Sequence, residues 1–125
     1  MSSTEGSVRL LLVDDELMVL TTVGRMLSSR GYEVCLAASG AQALSLASDP
    51  EQRFDLVIAD LTMPDMDGIE LFERLEALPL KLPKILTSGY PPTQAQMAKS
   101  HGFLQKPFRT QDLFEAVVEA LTLSA

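Results

Sequence analysis

The feature that most constrains this chain is where its aliphatic runs stop. Arg9-Leu10-Leu11-Leu12-Val13 breaks off at Asp14, and Phe54-Asp55-Leu56-Val57-Ile58-Ala59 ends at Asp60. Lys84-Ile85-Leu86-Thr87 runs into Ser88-Gly89, and Phe103-Leu104-Gln105 into Lys106-Pro107. Tyr32 to Ala37 is a further run of the same kind. Continuous rather than alternating apolar residues mark strands covered on both faces. Between them lie segments with helical spacing, and strand–helix alternation predicts a parallel sheet with helices on each side. Such folds bind ligands beyond the carboxyl ends of their strands.

The helical segments are bounded by recognisable signals. Leu20, Val23 and Leu27 recur at helical spacing, and Gly31 supplies a C-terminal stop. Ser39 opens a second helix, with Gln42 placed to complete a capping box and Ala43, Leu44 and Ala47 facing inward. After the turn Pro64 to Gly68, a third helix carries Ile69, Leu71, Phe72 and Leu75. Thr110 is expected to cap a last helix with Leu113, Val117, Ala120 and Leu121 inside. No repeat or linker divides the chain. A single domain over residues 8–123 is expected, preceded by a small, polar, disordered lead-in over 1–7.

Composition narrows the function. Of 125 residues, 46% are hydrophobic and 22% charged, enough apolar material for one buried core. A net charge of -7 argues against binding nucleic acid or anionic membrane through this domain. No apolar stretch nears the ~20 residues of a membrane span. Met1 to Ser7 lacks the regions of a signal peptide, so a cytoplasmic location is expected. Cys35, the single cysteine, lies in Val34-Cys35-Leu36 and reads as a small buried hydrophobe. His101 reads as a solvated loop residue.

In a parallel sheet the strand ends share one edge, so Asp14, Asp15, Asp60, Ser88 and Lys106 converge there. Converging carboxylates repel one another unless a cation neutralises them. An all-oxygen, partly hydrated set of one or two carboxylates suits Mg²⁺. A carboxylate can also attack phosphorus and form an acyl phosphate. The transferred group then needs cations and donors, which Lys106, the Ser88 hydroxyl and nearby backbone N–H groups supply. Each residue alone has a plainer reading. Asp14-Asp15 could cap a helix, Asp60 could end a strand, Lys106 could be a loop lysine, and Ser88-Gly89 could be a turn. Those readings do not account for their joint placement. Asp65 and Asp67 read as turn and helix-start residues.

The chain resembles the receiver domain of two-component response regulators, from about Val8 to about Leu123. The resemblance rests on Leu11-Leu12-Val13-Asp14-Asp15-Glu16, Asp60-Leu61-Thr62-Met63-Pro64-Asp65-Met66-Asp67-Gly68, Thr87-Ser88-Gly89-Tyr90 and Lys106-Pro107-Phe108. It implies a doubly wound, flavodoxin-like α/β fold with five parallel strands in the order 2-1-3-4-5, an order of which the chemotaxis receiver is an example. It implies Asp60 as phosphoacceptor and Mg²⁺ held by Asp15, by Asp14 mainly through water, by Asp60 and by the Thr62 carbonyl. Lys106 would contact the phosphoryl group, Ser88 would be the switch hydroxyl, and Phe103 the aromatic whose rotamer reports phosphorylation. The implied donor is a histidine kinase or histidine phosphotransfer domain. A homodimer is allowed, and the downstream protein partner is left open.

The stretch from Gly89 to Gly102 is shorter than usual for that family and holds Pro91 and Pro92, so a short or irregular fourth helix is expected. That segment also resembles receivers attached to hybrid histidine kinases, and attachment and a free-standing regulator both stay open. Among rivals, a haloacid-dehalogenase-type phosphohydrolase would need an acid two residues beyond its nucleophile, where this chain has Thr62. A flavin-binding protein would need a phosphate cradle after the first strand, where this chain has acids. A receiver reduced to a docking module would not need the full set of site residues.

Overall fold

The computed structural model describes residues 7–123, so the lead-in expected over 1–7 lies, but for Ser7, outside the described residues. The elements alternate as β1 (Arg9–Val13), α1 (Leu17–Ser29), β2 (Glu33–Ala37), α2 (Gly40–Ser48), β3 (Leu56–Asp60), α3 (Gly68–Glu76), β4 (Lys84–Ser88), α4 (Gln94–Ala98), β5 (Gly102–Gln105) and α5 (Thr110–Leu123). The strands form one sheet in the order β2-β1-β3-β4-β5. All pairs are parallel, with Leu12 opposite both Leu36 and Ile58, Asp60 opposite Thr87, and Ser88 opposite Gln105. This is the expected doubly wound α/β fold.

Two cores follow from the two-residue period of a strand. Leu10, Leu12, Leu56, Ile58 and Ile85 point to one face, where they meet Leu20, Val23 and Leu27 of α1 and Leu113, Val117 and Ala120 of α5. Leu11, Val13, Val57, Ala59 and Leu86 point to the other, against Ala43 and Ala47 of α2 and Leu71, Phe72 and Leu75 of α3. β3 and β4 are buried along their whole length. The sheet therefore cannot slip register without exposing one of the cores.

Local signals decide the helix ends. Gly31 has φ +91°, its N–H donates to the Ser28 carbonyl, and the Tyr32 N–H donates to that of Leu27. These two bonds close a Schellman turn on α1. At α2 the Ser39 hydroxyl accepts from the Gln42 N–H at 3.1 Å, but Gln42 Oε1 accepts from the Ala38 N–H rather than from that of Ser39. Thr110 is the first residue of α5 rather than its cap. Arg109 holds the capping position, its N–H donating to Asp112 Oδ2 at 3.1 Å, while Thr110 Oγ1 lies 3.7 Å from Met26 Sδ. The Asp112 carboxylate, three residues on, reaches back to the Arg109 N–H, which fixes Arg109 as the residue before the first turn.

α4 spans only Gln94–Ala98 and buries no residue, as the shortened segment predicts; a Thr93–Gln96 capping box holds it. Cys35 is half-buried rather than buried, because β2 lies at the edge of the sheet, where Leu36 too is exposed. His101 is exposed but not merely solvated. Its Nδ1 accepts from the Lys84 N–H at 3.0 Å, and its own backbone N–H donates to the Lys84 carbonyl at 2.7 Å, clasping the start of β4.

Candidate functional site

The sheet topology delivers the expected residues to one edge. β1 and β3 are neighbours, so Asp14, just beyond β1, and Asp60, last in β3, emerge side by side. Asp14, Asp15 and Asp60 each offer a carboxylate oxygen, and these oxygens lie within 4.8 Å of one another. Asp14 and Asp60 are buried, 2% and 6% exposed, while Asp15 is open to solvent. The Asp14 N–H donates to the Ala37 carbonyl at 3.1 Å, and its Oδ1 accepts from the Glu16 N–H at 2.9 Å. Asp14 is thus held by β2 and by its own loop. It caps no helix: Glu16 occupies the capping position of α1, which has no side-chain cap.

Lys106 enters from the far side. Its N–H donates to the Ser88 carbonyl at 2.7 Å, continuing the β4–β5 ladder by one step. From there Nζ reaches Asp14 Oδ2 at 2.9 Å, Asp60 Oδ1 at 3.4 Å and Glu16 Oε1 at 3.8 Å. Glu16 is a contact that sequence reasoning did not single out, although it completes the acidic triplet at the end of β1. Burial pulls the Lys106 ammonium down, but the hydrogen bond and charge of Asp14, with those of Asp60, outweigh it and hold the group above its ordinary value. Burial, and then the Asp14 charge, push the Asp60 carboxyl above the usual carboxylate range against the pull of Lys106.

Ser88 is the last residue of β4 rather than the residue after it, and is 2% exposed. Its Oγ accepts from the Tyr90 N–H at 3.1 Å, which leaves its own hydrogen to donate. Phe103 does not reach the cluster. It lies opposite Leu86 on β5, half-buried against the second core. The loop after Asp60 is tightly bound: the Leu61 N–H donates to the Thr87 carbonyl at 2.8 Å, and the Gly68 N–H to the Leu61 carbonyl at 2.9 Å. A Cβ on Gly68 would stand 2.7 Å from the Asp60 carbonyl oxygen, so only glycine allows this approach. Thr62, exposed, sits inside that loop. Asp67 caps α3, its Oδ1 accepting from the Glu70 N–H at 2.8 Å. Asp65 does not act at α3; it reaches α2 instead.

The donor set fits a hard divalent cation. Three oxygen-bearing acids face one ammonium among the described residues, and nitrogen and sulfur ligands are absent from the cluster. Such a set suits Mg²⁺ better than a transition metal. Chemically, the site offers a buried carboxylate, an ammonium paired to it and a hydroxyl donor within one edge. These are the parts that phosphoryl transfer to oxygen requires.

Comparison with known proteins agrees with this geometry. The chain is 36% identical over 120 residues to the transcriptional regulatory protein GlrR of Escherichia coli (strain K12), covering 93% of this chain and 27% of that protein. It is 38% identical over 124 residues to the sensor kinase CckA of Brucella abortus (strain 2308), covering 93% of this chain and 13% of that one. The chain therefore spans about a quarter or less of these relatives. Among solved structures it is similar to a CheY-like response regulator receiver domain protein from Methanospirillum hungatei JF-1, with TM-score 0.85 and 29% identity over 94% of this chain and 96% of that one. It is also similar to the receiver domain of the hybrid histidine kinase CckA, with TM-score 0.78 and 35% identity over 90% and 98% of the two chains. The sequence model of the response regulator receiver domain matches residues 10–118, and the chain belongs to that family.

Proposed function

We propose that Asp60 accepts a phosphoryl group from a histidine kinase or histidine phosphotransfer domain, in a reaction that depends on Mg²⁺ at Asp14, Asp15, Asp60 and the Thr62 carbonyl. The observation that carries this reading is the convergence of three aspartate oxygens within 4.8 Å, with Lys106 Nζ lying 2.9 and 3.4 Å from two of them. An Asp60 carboxylate oxygen attacks the phosphorus of a phosphohistidine whose other ring nitrogen is protonated, the P–N bond breaks, and the ring leaves as neutral imidazole, keeping that proton. Bound Mg²⁺ would neutralise charge on the acids and on the phosphoryl oxygens. Lys106, already between Asp14 and Asp60, can shift its ion pair to a phosphoryl oxygen as a point charge. Ser88 turns its free hydrogen toward another. The chain acts as a phosphoacceptor that assists its own phosphorylation and dephosphorylation, rather than as an enzyme working on a separate substrate.

We assign the domain to residues 8–123, a reading supported by the family match over residues 10–118 and by elements that run from Arg9 to Leu123. No helix among the described residues is long and apolar enough to cross a membrane. A cytoplasmic setting belongs to the same proposal and rests on its phosphoryl donor. Ser88 and Phe103 form the switch: movement of the Ser88 hydroxyl toward a phosphoryl group vacates space behind β4, into which the Phe103 ring can turn. A coupling free energy of about 1–3 kcal/mol suffices.

Mg²⁺ should bind before phosphorylation, and weakly, because a few carboxylates with Lys106 beside them do not form an all-protein cage and would leave the ion partly hydrated. Titration followed by amide chemical shifts will show resonances near Asp14 and Asp60 moving with Mg²⁺. Asp15→Ala will remove that response; an unchanged response would place the ion elsewhere.

Asp60 also makes the metal-free chain sensitive to pH. A raised carboxyl keeps its proton in the folded state after the unfolded chain has lost it. Its contribution to stability is therefore complete below the ordinary carboxylate value and is lost as pH rises through the raised value. In EDTA, urea unfolding will show stability falling across that window, and Asp60→Asn will flatten this component. A metal-free parent whose pH profile across the window matches that of Asp60→Asn would contradict the raised carboxyl.

A further inference from the structure

The loop from Leu61 to Asp67 is fastened in its middle as well as at its ends. Asp65 Oδ2 accepts from the Ala41 N–H at 3.0 Å, and Oδ1 lies 3.4 Å from the Gly40 N–H. These are the first two amides of α2. The bond from Ala41, foremost, holds the Asp65 carboxyl below the usual carboxylate range. Beside it, Met66 fills the notch that Gly40 leaves: a Cβ on Gly40 would overlap Met66 Cγ and come within 2.8 Å of its Sδ. A charged latch and a packed side chain thus join this loop to one helix end. The preceding β2 strand ends at Ala37, whose carbonyl accepts from the Asp14 N–H. The start of α2 is therefore tied to the loop that follows Asp60, and the strand before it to Asp14 itself.

We infer that Asp65 is a positioning residue for the cation site: by clamping the loop onto α2 it sets the Thr62 backbone, and so the affinity of the cluster for Mg²⁺, without touching the reacting atoms. This rests on the reading of the cluster given above. A carboxylate aimed at two helix-start amides has geometry that a solvated turn acid lacks. Without the latch, ordering of the loop would fall to the ion, and ion binding would weaken accordingly. Partners one shell behind a metal ligand commonly change affinity by ~10–100-fold. Asp65 is exposed and acts through backbone, so the lower end of that range applies.

The test is a Mg²⁺ titration by NMR, with amide hydrogen exchange at Ala41 and phosphorylation by acetyl phosphate at saturating Mg²⁺. Asp65→Ala should weaken Mg²⁺ binding roughly tenfold and speed exchange at Ala41, with the saturated rate within about twofold of the parent. Asp65→Asn keeps one acceptor oxygen and should recover most of the affinity. Gly40→Ala should weaken binding by displacing Met66 with Asp65 intact. Parent-like Mg²⁺ affinity in Asp65→Ala, despite faster exchange at Ala41, would overturn the inference and leave a merely structural latch. A large rate loss persisting at saturating Mg²⁺ would also overturn it, by placing Asp65 in the chemistry. A parent that ignores Mg²⁺ would instead overturn the cation site itself, a failure visible before any variant is made.

Discussion

Asp60→Asn will reduce phosphorylation by acetyl phosphate to background, a loss on the order of 10³-fold or more. The amide fits the same space at the end of β3, so the fold persists while the nucleophile is gone. Asp14 and Asp15 cannot replace it. Asp14 is tied to Lys106 at 2.9 Å and to the Glu16 N–H, with its backbone held by β2. Asp15 is open to water, where nothing excludes solvent from a reacting group. Mass spectrometry after incubation with acetyl phosphate and Mg²⁺ gives the answer directly. Parent-level labelling of the variant would place the phosphoacceptor on another residue.

Lys106→Met will separate two roles of one side chain. In the resting chain the ammonium offsets two buried carboxylates, and its loss leaves them facing each other. Because the Lys106 side chain is still 21% exposed, water softens that loss. The expected cost is about 1–3 kcal/mol in EDTA, smaller when Mg²⁺ is present. In the reaction, removing one preorganised donor to the transferred group should slow phosphorylation by roughly 10²-fold. Lys106→Arg should keep the fold and part of the rate, but the planar fork cannot follow the phosphoryl group as a compact ammonium does. Urea unfolding and the time course of phosphorylation read the two effects separately. A stable, fully reactive Lys106→Met chain would remove the lysine from the mechanism.

Much of the site could be read from sequence because its placement is topological. Once the aliphatic runs are parallel strands, Asp14, Asp60, Ser88 and Lys106 must share an edge, whatever the side chains do. Helix cover on both faces of the sheet was legible from the continuous apolar runs, whereas the division into two cores comes from the structure. What could not be read depends on contacts distant in sequence or on competition between donors. Asp65 reads as a turn or helix-start acid, yet the helix whose first amides it bonds is α2, 24 and 25 residues away. His101 reads as a loop residue until β4 and β5 are paired and it meets Lys84. The half-exposure of Cys35 follows from β2 being an edge strand, which strand order decides and local composition does not. The capping position falls on Arg109 and not on Thr110, and Asp112 reaches back to the Arg109 N–H. The Thr93–Gln96 box stands in the sequence as a pattern, and it holds a helix of one turn directly after two prolines.

Phosphoryl transfer to Asp60 requires one edge of the sheet to assemble a phosphoryl-binding site from Asp14, Asp15, Asp60, Ser88 and Lys106. Beryllofluoride, a phosphoryl mimic, decides this when added to isotope-labelled chain with and without Mg²⁺. One saturable complex that requires both components is expected. Amide shifts should appear at Asp60, Ser88 and Lys106 and extend to Phe103 and α5, and Asp15→Ala should abolish them. Shifts that need no Mg²⁺, or that leave the Asp60, Ser88 and Lys106 amides unmoved, would contradict it.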